Sequence, residues 1–234
     1  MSAIHLLRHG QASFDANDYD VLSPLGVAQA RSFGTHLASR RIHFDQVFVG
    51  PRKRQIDTAT HLGQAASALG HTLPEPRPLP ELDEFPAIDI FRAAFEPICQ
   101  AHPTLAAGMR SIDTLVQRRS YRELFNIVAM SWAKDELDIG DLERFPSFCQ
   151  RVDRAIDRIR EAQGRGQHAL VVTSGGPISV AVRRCLGLDS SHTMRVALTV
   201  ANASITRLEW RDDEISLFGF NHTHHLAPDQ LTYR

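Results

Sequence analysis

The first ten residues constrain what this chain can become more than any other stretch. Ala3-Ile4-His5-Leu6-Leu7 reads as a short buried strand, and it runs directly into Arg8-His9-Gly10. In open α/β folds, ligands bind at the carboxyl ends of parallel strands, so the tripeptide sits where chemistry is expected. Arginine offers a planar fork matched to phosphate oxygens, histidine can act as nucleophile or proton carrier near neutral pH, and glycine permits close approach of backbone to a ligand. Together they point to a phosphate pocket. A bare Arg-His-Gly is more often a surface turn, so later segments must supply the rest.

They do so in order. Gln11 to Asp20 is polar, with Ser13, Asp15, Asn17 and Asp18, and reads as a loop rimming the pocket. Ser23-Pro24 is a helix start, a capping hydroxyl followed by proline at the first helical position, and the helix is expected to run to about Arg40. Phe44 to Val49 reads as a second buried strand ending at Gly50-Pro51, followed by a helix from about Arg52 to Leu69-Gly70. Arg54 therefore lies at a helix amino terminus just past a strand end, placed to add a second fork to an anion site. Arg52 and Lys53 read as solvated surface residues.

Pro74 to Pro86 reads as a solvated acidic loop carrying Glu81, Asp83 and Glu84. Three helical patterns follow between Ala87 and about Ala133, uninterrupted by any strand pattern, which predicts a helical insertion at about 86–140 lying over the strand ends. Within it Phe91, Phe95, Met109, Phe125 and Trp132 are offered as a substrate wall, though core packing explains most of them better. Arg118, Arg119 and Arg122 read as a solvated face. Another amphipathic helix starts at Phe145. His168 to Thr173 is a clear strand, ending in the glycine turn Ser174-Gly175-Gly176-Pro177 before a helix from Ile178 to Leu186, an arrangement suited to anion binding by backbone N–H groups. Ala203 to Trp210 and Ile215 to Phe220, joined by Asp212-Asp213, read as closing strands.

At 234 residues and 43% apolar the chain suits one α/β domain spanning residues 1–234. The net charge of -1, with dispersed arginines, argues against nucleic-acid or membrane partners. Cys99, Cys149 and Cys185 lack metal or redox spacing, and no leader or membrane span is evident, so a reducing cytoplasm is expected. Apolar patterning does not separate an interface from core, so it assigns no oligomeric state.

Leu7-Arg8-His9-Gly10, Leu22-Ser23-Pro24-Leu25-Gly26 with Gln29-Ala30, Pro51-Arg52-Lys53-Arg54 with Asp57-Thr58-Ala59, Leu82-Asp83-Glu84 and Asn202-Ala203-Ser204 resemble the motifs of the histidine phosphatase superfamily, the phosphoglycerate mutase-like proteins. The resemblance implies a three-layer α/β sandwich, with a mostly parallel central sheet and helices on both faces, and phosphoryl transfer through a phosphohistidine on a small phosphorylated substrate. His9 would be the nucleophile, Arg8 and Arg54 the phosphoryl ligands, and Glu84 the general acid, with no metal or other cofactor. Gly10, Gln11, Ser13, Ser174 and Gly175 complete the expected substrate-binding set. Glu81 competes for the acid role because Leu79-Pro80-Glu81 repeats the pattern of Leu82-Asp83-Glu84; Glu84 is preferred because Phe85 follows it, as in similar proteins.

One departure stands out. The superfamily usually carries histidine-glycine where this chain has Ser174-Gly175, so a second imidazole is missing. Losing one preorganised donor typically costs about 10²–10³ in rate, which implies a slow or specialised phosphatase before an inactive one. A non-catalytic phosphate-ligand sensor is the alternative. A mutase ranks below both, because it must shield a phosphoenzyme from water. His222, His224 and His225 read first as a solvated tail, then as a source of a compensating imidazole, then as metal ligands. His5 reads as a satisfied core or interlayer histidine.

Overall fold

The computed structural model describes residues 1–13, 20–211 and 214–233. Asp15, Asn17 and Asp18 of the rim loop, and the Asp212-Asp213 turn, lie outside the described residues. In chain order the elements are β1 (Ser2–Arg8), α1 (Pro24–Arg40), β2 (Gln46–Val49), α2 (Lys53–Ser67), β3 (Pro76–Pro78), α3 (Ala87–Ala101), α4 (Pro103–Met109), α5 (Thr114–Ala133), α6 (Phe145–Ala162), β4 (His168–Thr173), α7 (Gly175–Leu186), α8 (Ser190–Thr199), β5 (Ile205–Arg211) and β6 (Glu214–His222).

The strands form one sheet in the order β3-β2-β4-β1-β5-β6. The first four run parallel, β5 runs antiparallel to β1, and β6 antiparallel to β5. Side-chain alternation divides the core into two faces. Ile4, Leu6, Ala169 and Val171 meet the larger cluster with Leu124, Trp132, Phe148 and Ile178. Leu7, Leu170 and Val172 meet the smaller one with Phe33 and Leu37 of α1 and Leu62 of α2. The expected α/β sandwich is therefore present, and its helical insertion is α3 to α5.

The helix boundaries follow local chemistry. Ser23 caps α1 as expected, its Oγ accepting the Gly26 N–H at 3.0 Å with Pro24 in the first turn. Two elements were not anticipated. The proline-rich run includes β3, which pairs with β2 at the sheet edge, where a missing N–H costs no ladder bond. The helix α8 is capped by Asp189, whose carboxylate accepts the His192 N–H at 2.8 Å. A third difference matters for the site: α7 begins at Gly175, three residues before the expected Ile178, so its glycines are the first helical turn.

Several other expectations are met or corrected. Trp132 and Phe91 are core residues. Arg118, Arg119 and Arg122 are exposed, and Arg119 pairs with Glu123. His5 sits between layers against the rings of Phe44 and His168, but it is not a satisfied histidine: its Nε2 is buried without a hydrogen-bond partner among the described residues. Burial, then the Arg207 and His168 charges, pull its pKa down to about 3. Among the described residues no helix is long and apolar enough to cross a membrane.

Candidate active site

Strand register brings the site together. Arg8 pairs with Thr173 and Val49 with Val172, so β1, β2 and β4 end side by side. Their loops converge at the amino termini of α2 and α7, the positive ends of two helix dipoles, which favour an anion. There a cavity of about 330 Å³ opens, lined by Arg8, His9, Arg54, Glu84, Gly175 and Gly176. Ile88, Phe125 and Leu198 from the helical elements line it too, together with Arg52 and Arg92.

His9 is 5% exposed. Its Nδ1 lies 2.7 Å from the Gly10 carbonyl, which can only accept, so Nδ1 carries the proton. Nε2 then holds the lone pair and accepts from Arg54 Nε at 3.1 Å. Desolvation, reinforced by the Arg54 and Arg8 charges, holds the imidazole well below its usual pKa and therefore neutral. Arg54 is anchored from behind, its Nη1 2.7 Å from Asp20 Oδ1. Thr58 Oγ1 ties loop to helix, accepting the Gly10 N–H at 3.1 Å and donating to the Arg54 carbonyl at 2.7 Å.

Glu84 faces these groups from the loop before α3. Its Oε1 accepts the Phe85 N–H and its Oε2 the Gly176 N–H, both at 3.1 Å. Burial of the carboxyl raises its pKa above the usual carboxylate value, and this outweighs the Gly176 N–H, the Arg54 charge, the Phe85 N–H and the Arg8 charge, which all pull the other way. Glu81 lies outside the cavity lining and pairs with Arg158. Partial burial pushes its pKa up, but its own backbone N–H and Arg158 prevail and hold it low. The loop is set by Arg151, whose Nη1 donates to the carbonyls of Glu81 and Asp83 at 2.8 and 3.0 Å while its fork grips Glu143.

Gly176 is what lets α7 approach Glu84. A Cβ at this position would lie 2.0 Å from Glu84 Oε1 and 3.0 Å from the rings of Phe85 and Phe148. Gly176→Ala is therefore expected to displace the Glu84 carboxylate.

Four of the predicted ligands do not line the cavity among the described residues. Gly10 instead packs against α1, where a Cβ would lie 2.4 Å from the Gly26 carbonyl oxygen. Gln11 turns its Oε1 to the Ser23 hydroxyl, at 2.9 Å. Ser13 donates its N–H to the Val21 carbonyl. Ser174 is fully buried, its Oγ accepting from Gln55 Nε2 at 2.8 Å. The cavity end of α7 is thus formed by Gly175 and Gly176 rather than by the serine hydroxyl. Arg52 is not simply solvated either, since it lines the cavity and its Nε meets Asp83 Oδ1 at 2.5 Å.

The three late histidines lie outside the cavity lining. His224 Nε2 is 3.3 Å from His36 Nε2, and His225 packs on Phe33 and His36. Among the described residues, no group of three or more potential ligands is arranged to hold a metal ion. Asp20, Gln55 and Arg151 were not singled out from sequence, and Gln29 appeared only within a motif, with no role of its own. Their spacing carried no signal for a role that only tertiary contact creates.

With this geometry in view, residues 4–106 and 113–223 match the model of the histidine phosphatase superfamily (branch 1), and the chain belongs to that superfamily. No curated protein matches it significantly by sequence. Among solved structures it is similar to phosphoserine phosphatase from Entamoeba histolytica, at 17% identity over 97% of this chain and 100% of that one, with a TM-score of 0.65. Phosphoglycerate mutase from Bacillus anthracis is similar at 22% identity, over 94% of this chain and 92% of that one, with a TM-score of 0.62. The alpha-ribazole phosphatase from Shigella flexneri is similar at 19% identity, over 94% and 96%, also with a TM-score of 0.62. At these identities the likeness establishes the shared fold.

Proposed function

We propose that this protein is a metal-independent phosphatase that hydrolyses a small phosphate monoester through a phosphohistidine at His9. The observation that carries the reading is the state of His9: neutral, proton on Nδ1, lone pair on Nε2, in a cavity also lined by Arg8, Arg54 and a carboxyl of raised pKa. In the first step Nε2 attacks phosphorus and the ester P–O bond breaks. Glu84 gives its proton to the departing alkoxide. Water then attacks the phosphohistidine, Glu84 takes its proton, the P–N bond breaks and phosphate leaves. Arg8, Arg54 and the Gly175 N–H neutralise the equatorial oxygens, which is most of what phosphoryl transfer asks of a protein. The cavity lies at the small end of ligand sites, which fits a small ester. Three free thiols, with Cys149 and Cys185 pushed up to about 11 by burial, fit a reducing cytoplasmic setting.

The acid–base assignment has a signed consequence. His9, with a depressed pKa, gains its lone pair as pH rises through a value below the ordinary 6.5. Glu84, with a raised pKa, loses its proton as pH rises through a value above the ordinary 4.5. The profile of kcat/KM for an alkyl phosphate should therefore be bell-shaped, with Glu84 on the basic limb. Glu84→Gln should remove that limb and lower the rate by about 10²–10³-fold, while an aryl phosphate with a good leaving group loses less. A basic limb that survives in Glu84→Gln would assign the acid elsewhere. Phosphate release from an aryl phosphate, with chelator present, is the direct test of the hydrolytic reading.

One observation favours a second reading, a non-catalytic phosphate-ligand sensor. Ser174 is turned toward Gln55 and adds no cation to the cavity. Phosphate binding without turnover, and without label on His9, would establish it.

A further inference from the structure

The chain after β6 returns to the site. Gln29 of α1 is fully buried, and its amide joins two distant segments. Oε1 accepts the Gln11 N–H at 2.8 Å, and Nε2 donates to the Gln230 carbonyl at 2.7 Å and to Thr232 Oγ1 at 2.9 Å. The Gln11 N–H can only donate, which fixes which end of the amide faces it. Thr232 Oγ1 passes the chain on, donating to Asn202 Oδ1 at 3.0 Å, while the Asn202 N–H donates to the Thr232 carbonyl at 2.8 Å. Asn202 Nδ2 and the Ala203 N–H both reach the His9 carbonyl, at 3.5 and 3.2 Å. One residue further, the Tyr233 carbonyl accepts from Arg8 Nη1 at 2.8 Å, and the Val200 carbonyl accepts from the same nitrogen.

We propose that residues 230–233 form a positioning strap for the phosphate site: through Gln29, Thr232, Asn202 and the Tyr233 carbonyl they hold the Arg8 guanidinium and the His9 backbone in the geometry that receives a phosphoryl group. The proposal rests on the phosphate-binding reading of Arg8 and His9. Two carbonyls on one Nη1 fix both the reach and the plane of the guanidinium, and that plane decides whether its fork meets phosphate oxygens. Gln29, Thr232 and Asn202 are positioning residues; none of them lines the cavity.

Thr232→Val tests this, because it keeps the shape of a half-buried side chain and removes the hydroxyl from both of its bonds. Orthovanadate affinity and kcat/KM should each fall about 10-fold, the scale of two modest hydrogen bonds. The factor should be the same for aryl and alkyl phosphates, since Arg8 meets the phosphoryl group they share. Tm should fall by no more than about 6 °C. Thr232→Ser, which keeps the hydroxyl, should restore wild-type values within about twofold. An unchanged affinity in Thr232→Val overturns the strap. A rise in affinity or activity overturns it too, since it would make the Tyr233 carbonyl an inhibitory cap. A loss that Thr232→Ser fails to restore, or that comes with a fall in Tm larger than this, assigns the segment a merely structural role. Vanadate affinity keeps the two readings separate: binding without turnover sinks hydrolysis and leaves the strap testable, whereas wild type that binds no vanadate overturns both.

Discussion

His9→Ala is expected to lower phosphate-ester turnover by at least about 10⁴-fold and to leave no phosphoryl label on the protein, with the fold retained. The size follows from chemistry. In the proposed mechanism His9 is the nucleophile, and without it only positioning and charge neutralisation by Arg8 and Arg54 would remain, which do not split the reaction into two easier steps. The fold should survive because Arg54 keeps its second anchor on Asp20, and because a small side chain at this position strands no backbone group: the His9 N–H and carbonyl bond to Thr173 and Ala203. Acid-quenched labelling of wild type beside the variant, with Tm measured for both, checks each part. Turnover that persists in a folded His9→Ala would sink the phosphohistidine mechanism.

Ser174→His should lose stability rather than supply the missing imidazole. The site is fully buried and its hydroxyl is 2.8 Å from Gln55 Nε2, so a larger ring has to displace the Gln55 amide. Overpacking of this kind costs about 1–3 kcal/mol, and each kcal/mol lowers Tm by about 2–4 °C in a domain of this size. Activity of the single variant should fall with it. Gln55→Ala combined with Ser174→His opens the space, at the cost of the part-buried bond that the Arg52 N–H donates to Gln55 Oε1 and of the one that Gln55 Nε2 donates to the Leu82 carbonyl. The double variant should recover part of the Tm and exceed the single variant in kcat/KM by about 10-fold, a fraction of what one preorganised donor supplies. A stable Ser174→His with raised activity would show that the pocket around Ser174 has room the packing denies.

The contrast between these two positions reflects how they were legible. His9 sits in a contiguous motif at the end of an apolar strand, and Arg54 and Glu84 stand in motifs of their own. Ser174 stands in a motif too, yet its partner lies 119 positions away in sequence and on another element. Nothing local shows that a serine faces a glutamine rather than a ligand. Gly10 misled for a similar reason: a glycine beside a presumed ligand site suggests access for the ligand, whereas this one makes room for Gly26 of α1.

The sequence by itself determined the alternation of strands and helices, the extent of α1 and β4, the helical insertion, and the residue types at the strand ends, because each rests on local periodicity, capping or turn chemistry. β3 escaped because two of its three residues are prolines, and edge position is a property of the assembled sheet. Only the tertiary structure decided which groups meet: the tautomer of His9, the raised pKa of Glu84 against the lowered one of Glu81, the Gln55–Ser174 contact, and the return of Thr232 and Tyr233 to Arg8. The reason is physical. Hydrogen-bond partners, desolvation and the nearest charge depend on distances between segments far apart in the chain, and no local pattern encodes them.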